Sequence, residues 1–271
     1  MANVCVITGC DGSISLAAAK FISRDKVLVI SGRDEARLAA AEAELSALGF
    51  DVHRILCDVS SRSDVHELCL LAKSLGTIRN VIHTDGLVPN AAESAERLIR
   101  LNAVGTKNVN MEFRKYLERG SVIVDMASCA AYDLPDIAVH RGAYELAEYQ
   151  EDAFVQKLLS ETGYARKDQP GLAYKLSKRF VIWYAQKCAY AYGKDGIRVV
   201  SVSPGLIATE TGALEAEHAA HMIENSAEHR MGTPEEVGFA LATIADERNG
   251  FLAGVDVIVD GGGTNGKQFR A

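Results

Sequence analysis

The chain has 271 residues, 48% of them hydrophobic and 24% charged, which is the balance of an ordinary globular protein and a length that suits one large α/β domain. Its formal net charge of −7 is offset by no Lys/Arg-rich cluster, which argues against nucleic acid as the main partner. No run of about 18 apolar residues is present, so no membrane partner is expected.

Short β-branched runs alternate with longer helical patterns along the chain. VCVIT reads as a strand and SLAAAKFIS as a helix; VLVIS follows as a strand, and DEARLAAAEAELSALG as a helix that stops at Gly49. DVHRILC precedes SDVHELCLLAKSLG, a helix capped by Ser60 or Ser61. NVIHT precedes a helix over residues 91–117. SVIVDMA is a strand, YKLSKRFVIWYAQKCAYAYG a long helix ending at Gly193, and IRVVSVS a strand. TPEEVGFALATIA is a capped helix and VDVIVDG the last strand.

Strands apolar on both faces, alternating with helices, predict an α/β fold whose parallel sheet is covered on both sides. Right-handed crossovers make such a sheet doubly wound and Rossmann-like, and ligands bind it at the carboxyl ends of the strands. With no repeat, low-complexity tract or linker, one domain over residues 1–271 is expected. The chain goes straight into its first strand, without a basic leader and an apolar stretch ahead of it. Its six cysteines form no C-x-x-C pair and sit among apolar neighbours, which predicts reduced thiols in a cytoplasmic protein. Cys129 reads as a small packing residue rather than a nucleophile.

Tyr174 and Lys178 lie four residues apart on a predicted helix, so their side chains share a face. A phenol is a poor base at neutral pH, and a nearby ammonium favours its ionised form. Such a pair can move a proton onto or off an alcohol oxygen; taken alone it also fits a half-buried Tyr beside a solvated Lys. Ser128 closes a strand at the crevice, and Asn102 sits mid-helix, where Asn is intrinsically unfavourable.

Together these segments resemble the short-chain dehydrogenase/reductase family along nearly the whole chain. TGCDGSIS stands where that family has T-G-x-x-x-G-x-G, and CDVS matches its adenine-pocket Asp–Val, here Asp58 and Val59. LNAVG, VDMAS and YKLSK match the Asn segment, the strand ending in Ser and the Tyr–Lys motif. SVSPGLIATETG matches the loop beside the nicotinamide, with Pro204, Gly205, Ile207 and Thr209, and RMGTPEEVG and GVDVIVDGG match the carboxyl-terminal part. The resemblance implies that Tyr174 is the acid/base, that Lys178 assists it and bonds the nicotinamide ribose, that Ser128 holds the substrate oxygen, and that Asn102 helps anchor a proton-relay water. Gly9, Asp11, Ser13 and Ile14 would cradle the pyrophosphate, with Gly86 beside them.

Two departures stand out. Ser13 and Ser15 replace the second and third glycines of the turn. Serine tolerates positive φ poorly, yet it is small, caps helices and can bond a phosphate oxygen, and Gly12 supplies flexibility one residue earlier. HTDG, residues 83–86, stands where the family has N-N-A-G; His83 and Asp85 are read as satisfying local backbone groups, the alternative being that Asp85 lies near the cofactor and bonds a ribose hydroxyl. His83 has no spaced His or Cys partner, so no metal site is expected. Gly32 occupies the place where NAD-preferring relatives carry Asp, and Arg33 follows it, which favours NADP(H) while admitting NAD(H).

Ser128 and Tyr174 are separated by 174 − 128 = 46 residues, which leaves an insertion over residues 130–171. It resembles those of monomeric carbonyl reductases and some bacterial 3α-hydroxysteroid dehydrogenases. Leu146, Tyr149, Ala153 and Phe154, and also Val155, Leu158 and Leu159, recur at helical spacing. Tyr132, Tyr144, Tyr149, Phe154 and Tyr164 either wall a flat apolar substrate or pack the inserted helix onto the domain or another subunit. Residues 206–231 are expected to form the substrate loop. The expected function is alcohol/ketone oxidoreduction on a small molecule, with a hydroxysteroid or bile acid as the leading substrate, by a homo-oligomer, either dimer or tetramer. The alternative is a nucleotide-sensing or scaffolding protein descended from such an enzyme.

Overall fold

The structure, a computed structural model, describes all residues except 135–140, 164–167, 210–222, 267–268 and 270–271. Seven parallel strands form one sheet in the order β3-β2-β1-β4-β5-β6-β7. They are β1 (Asn3–Thr8), β2 (Lys26–Gly32), β3 (Val52–Leu56), β4 (Thr77–His83), β5 (Val122–Met126), β6 (Arg198–Pro204) and β7 (Asp256–Val259). Along β1 the side chains alternate between two cores: Val4 and Val6 face one, Cys5 and Ile7 the other. All four are fully buried, as a strand covered on both faces requires.

One face carries α1 (Ser13–Phe21), α2 (Glu35–Ala47) and, after β6, α9 (Pro234–Ala245). A Cβ at Gly238 of α9 would lie 2.6 Å from the Ala18 nitrogen, so only glycine lets α9 approach α1 this closely. The other face carries α3 (Arg62–Leu75), α4 (Ala95–Ile99), α5 (Gly105–Phe113), the short α6 (Arg141–Tyr144), the inserted α7 (Glu151–Thr162) and the long α8 (Gln169–Gly193). Ser61 caps α3 by accepting from the Asp64 N–H, and Thr233 and Glu236 close a reciprocal capping box on α9. The chain order turns back between β1 and β4, where Thr8 pairs with His83, and this is where a doubly wound sheet opens a ligand crevice.

One expectation about the helices needs correction. The helix over residues 91–117 is broken: α4 passes into a π turn (Arg100–Val104) before α5 begins. Asn102 lies in the middle of that turn, and its side chain binds the backbone of Leu87 after β4. The inserted helix forms, and its aromatics pack inward. Tyr144 and Phe154 are buried against Phe180, and Tyr144 also against Trp183, while Tyr149 lies before the helix at 81% exposure. Arg100 pairs with Asp152 at 3.1 Å and Lys107 with Glu151, fastening α7 across α4 and α5. The packing alternative thus describes Tyr144 and Phe154. Tyr164 lies outside the described residues.

Candidate active site

The turn after β1 holds its shape through Gly9 and Ser15. Gly9 has φ +69°, and a Cβ there would lie 2.8 Å from both the nitrogen and the Cα of Asp85, so glycine is required on two grounds. Ser15 points into the turn, donating to the Gly12 carbonyl at 2.9 Å and also to the Gly9 carbonyl. Its hydroxyl closes the turn from within. Ser13 opens α1 and is exposed, and Ile14 packs partly buried on the core beneath. Gly12 caps α1 without a side chain, so no side-chain group covers its first N–H groups.

At the end of β2, Asp11 reaches across from the first turn. Its Oδ2 accepts from the backbone N–H of Arg33 at 3.0 Å and of Asp34 at 3.1 Å. A Cβ at Gly32 would meet the Asp11 carboxyl carbon at 2.7 Å, so this carboxylate occupies the space a side chain at 32 would enter. The Arg33 guanidinium, about one-third exposed, lies 3.5 Å from Oδ1 of the buried Asp85. Burial pushes the Asp85 carboxyl up to about 7, against the pull of Arg33 and with Asp11 and Asp58 adding to the rise. At the end of β3, Asp58 receives Arg97 at 2.6 Å and the Ser60 hydroxyl at 2.6 Å. Burial alone would raise its carboxyl, but those bonds outweigh it and hold it below the usual range. Val59 is fully buried against Gly105, where a Cβ would come within 2.6 Å of its Cγ2.

The Tyr–Lys pair lies on the second and third turns of α8, which begins five residues before Tyr174 because Asp168 caps it through the Gly171 N–H. Lys178 Nζ lies 5.9 Å from the Tyr174 ring centre and donates to the Met126 carbonyl at 2.9 Å. Ser128 follows two residues later, only 8% exposed, its hydroxyl accepting from the Ala130 N–H at 3.2 Å. Asn102 clamps Leu87, accepting its N–H at 2.7 Å and donating to its carbonyl at 3.0 Å. The same amide donates to the Ser177 hydroxyl at 3.2 Å, which in turn bonds the Tyr174 carbonyl at 2.8 Å. Gly86 is where these groups converge: a Cβ there would sit 3.1 Å from Asn102 Oδ1 and 3.3 Å from Lys178 Nζ. Burial brings Lys178 down to about 8, opposed by the charges of Asp85 and Asp125.

Pro204 ends β6, and Gly205 crosses so near β7 that a Cβ would fall 2.6 Å from Cβ of Asp260. Ile207 is buried and bridges to Gly232, and the Thr209 N–H bonds the Ile207 carbonyl at 2.8 Å. Residues 210–222, half of the expected substrate loop, lie outside the described residues.

HTDG departs from its expected role. His83 bonds side chains rather than backbone: Thr8 Oγ1 at 2.7 Å and Thr106 Oγ1 at 3.2 Å. Burial, with the Lys178 charge, pushes it down to about 3, so it is neutral. Asp85 engages Arg33, and its Oδ2 is buried without a hydrogen-bond partner. Sequence reasoning also passed over Ser177, the link between Asn102 and α8, and Arg97, the partner of Asp58. Ser177 lies one residue before Lys178, on the segment the Tyr–Lys spacing marks; Arg97 carries no motif at all.

A parallel sheet of this order, with its glycine turn at the point of reversal, is the Rossmann-like α/β architecture. Residues 3–141 match the family model described as short chain dehydrogenase, and residues 157–264 the one described as Enoyl-(Acyl carrier protein) reductase. A short-chain dehydrogenase/reductase, bsc3, from Alternaria brassicicola is 30% identical over 257 residues, covering 93% of this chain and 92% of that protein. The 3beta-hydroxysteroid dehydrogenase 2 of Eggerthella lenta is 26% identical, over 95% of this chain and 93% of that protein. Among solved structures, a short chain dehydrogenase from Burkholderia cenocepacia J2315 in complex with NADP shares the fold, with a TM-score of 0.77 at 20% identity, over 96% of each chain. The chain belongs to the short-chain dehydrogenase/reductase family, a family of oxidoreductases that bind nicotinamide cofactors.

The residues present fit such a cofactor. The helix end after Gly9 lacks a side-chain cap, Gly86 leaves space before Lys178, and Arg33 and Asp11 stand at the end of β2.

Proposed function

We propose that this protein interconverts a secondary alcohol and a ketone with a nicotinamide dinucleotide. The observation that carries the reading is the placement of Lys178, buried between the Tyr174 ring and the Met126 carbonyl, at the carboxyl end of β5, two residues before Ser128. When bound, the nicotinamide supplies or takes the hydride. The protein's own groups handle the proton and the orientation.

In the reducing direction Ser128 donates to the carbonyl oxygen and holds it toward α8. Tyr174 then delivers its phenolic proton to that oxygen as the alcohol forms. Lys178 stabilises the negative charge that develops on the phenolic oxygen and bonds the nicotinamide ribose. Asn102 acts by position: it fixes Leu87, and with it Gly86, against α8. Gly9, Asp11, Ser13 and Ile14 form the pyrophosphate turn. Asp58 and Val59 bound the adenine, and Pro204, Gly205, Ile207 and Thr209 border the nicotinamide. Arg33 is the cation that the additional phosphate of NADP(H) would meet, which is the ground for preferring NADP(H) while accepting NAD(H).

The substrate class we propose is a ring alcohol such as a hydroxysteroid. Its support is the likeness to the Eggerthella lenta protein; Tyr144 and Phe154 give none, being spent on packing α7. No disulfide joins any of the six cysteines, which suits a reducing compartment such as the cytoplasm. No described helix is long and apolar enough to cross a membrane. Assembly into a homo-oligomer and one domain over the whole chain complete the reading. The sensor or scaffold alternative loses its main motive, because Ser15 secures the altered turn rather than obstructing it.

Turnover of a panel of ketones and secondary alcohols, steroids included, with NADPH and NADH tests the proposal. It expects oxidation or reduction of at least one class by the wild type and none by Tyr174→Phe. Tight nucleotide binding with no turnover of any substrate would favour the sensor.

A further inference from the structure

Asp85 is a carboxylic acid where the family's motif has alanine, and it lies against the glycine turn that follows β1. Its backbone meets Gly9 and its side chain is only 3% exposed. One oxygen faces Arg33 Nε at 3.5 Å, beyond the distance of a good hydrogen bond; the other is buried with no partner. A buried carboxylate so poorly compensated depends on the Arg33 charge for its ionised form. Arg33 keeps its remaining edge toward solvent, where the extra phosphate of NADP(H) would be received if the chain binds the cofactor as proposed above.

We propose that Asp85 sets cofactor choice by competing with the 2′-phosphate of NADP(H) for Arg33, so that NADP(H) binds with uptake of a proton by Asp85 and NAD(H) binds without it. The carboxylate and the phosphate are like charges on one guanidinium. When the phosphate arrives, an ionised Asp85 loses the cation that made its burial tolerable, and a second anion now lies nearby. Taking one proton from solvent onto its carboxylate relieves both costs. NAD(H) brings no such charge and leaves the Asp85–Arg33 contact in place.

The surroundings reinforce the coupling. Asp11 from the first turn and Asp58 from the end of β3 repel the Asp85 charge, and Cys57 on the same side is a neutral thiol. Arg97 from α4 attracts it more weakly than Arg33 does, and the Lys178 ammonium from α8 also lies within reach of its charge. The Thr8 hydroxyl meets only its backbone N–H, at 3.5 Å. With burial pushing the carboxyl up to about 7, the change of state falls in the accessible pH range.

The test is equilibrium binding by calorimetry near pH 8, in two buffers of unequal ionisation enthalpy, with NADPH and NADH. A free phosphomonoester is already a dianion near pH 8, its own pKa being about 6, so it contributes no proton there. For the wild type, NADPH should bind with more proton uptake than NADH, and the ratio of Kd(NADPH) to Kd(NADH) should rise several-fold from about pH 6.5 to about pH 8.5. Asp85→Asn and Asp85→Ala should abolish the excess uptake, flatten the ratio, and tighten NADPH by about tenfold near pH 8 with NADH little changed. The wild-type comparison stands even if either variant folds poorly. Equal proton uptake for both nucleotides, or variants that shift both equally, would overturn the inference and leave the oxidoreductase reading intact. A wild type that binds neither nucleotide would overturn both.

Discussion

Lys178 donates to the carbonyl of Met126 at 2.9 Å, which ties α8 to the last residue of β5 two positions before Ser128. One hydrogen bond thus aligns the helix that carries the proposed acid with the strand that carries its proposed partner. The ammonium is almost wholly buried, and burial has brought it down to about 8.

Because the Lys178 charge is lost as pH rises through that value, ketone reduction should decline above about pH 8. Lys178→Arg, whose cation persists, should move the decline to higher pH, and Lys178→Ala should lower kcat/KM by roughly 10²–10⁴-fold. Steady-state pH profiles check both; an unchanged profile in Lys178→Arg would place the decline elsewhere.

Gly9→Ala should destabilise the protein by about 3 kcal/mol and abolish dinucleotide binding. The residue has φ +69°, and the new methyl would sit 2.8 Å from the Asp85 backbone. Urea unfolding and nucleotide titration measure the two effects separately.

Arg33→Ala should weaken NADP(H) by roughly 10–100-fold and NAD(H) far less, since only the former has a phosphate for the guanidinium to hold. Fluorescence titration of both reduced nucleotides decides it, and equal losses would remove Arg33 from cofactor choice.

His83 gives a prediction about stability. Held neutral by burial, it takes up a proton in the folded chain only near pH 3, against 6.5 ordinarily. The unfolded chain therefore binds the proton first, and stability is lost as pH falls from about 6.5 toward 3. At about pH 5 the loss amounts to about 2 kcal/mol. His83→Gln, though weaker at neutral pH for want of the Thr8 and Thr106 bonds, should show a flatter decline in urea unfolding between about pH 7 and 5.

The order of strands and helices was open to reading from the sequence because the central strands, such as β1 and β2, are apolar on both faces and several helices carry their own stop or cap. Ser128, Asn102, Tyr174 and Lys178 could be picked out because their residue types sit where packing alone does not call for them. The break at Asn102 was hidden: RLNAV contains no glycine or proline to mark the π turn. Contacts remote in sequence left no trace either. Nothing in ISGRD tells that Asp11, more than twenty residues earlier, fills the place of a side chain at 32, or that Asp85 reaches Arg33. The aromatics of the insertion fitted a substrate wall and a packed helix equally well until the Phe180–Tyr184 stack showed what they cover.

The central claim is that hydride passes between a nicotinamide and a carbinol carbon while Tyr174 moves the proton. It is tested most directly by mass spectrometry of the alcohol formed from a ketone that the wild type turns over, using NAD(P)H deuterated at the transferring position. The account predicts one deuterium on the carbinol carbon with the wild type and none formed by Tyr174→Phe, although that variant still binds the nucleotide. Alcohol formed without deuterium, or equal transfer by Tyr174→Phe, would contradict it.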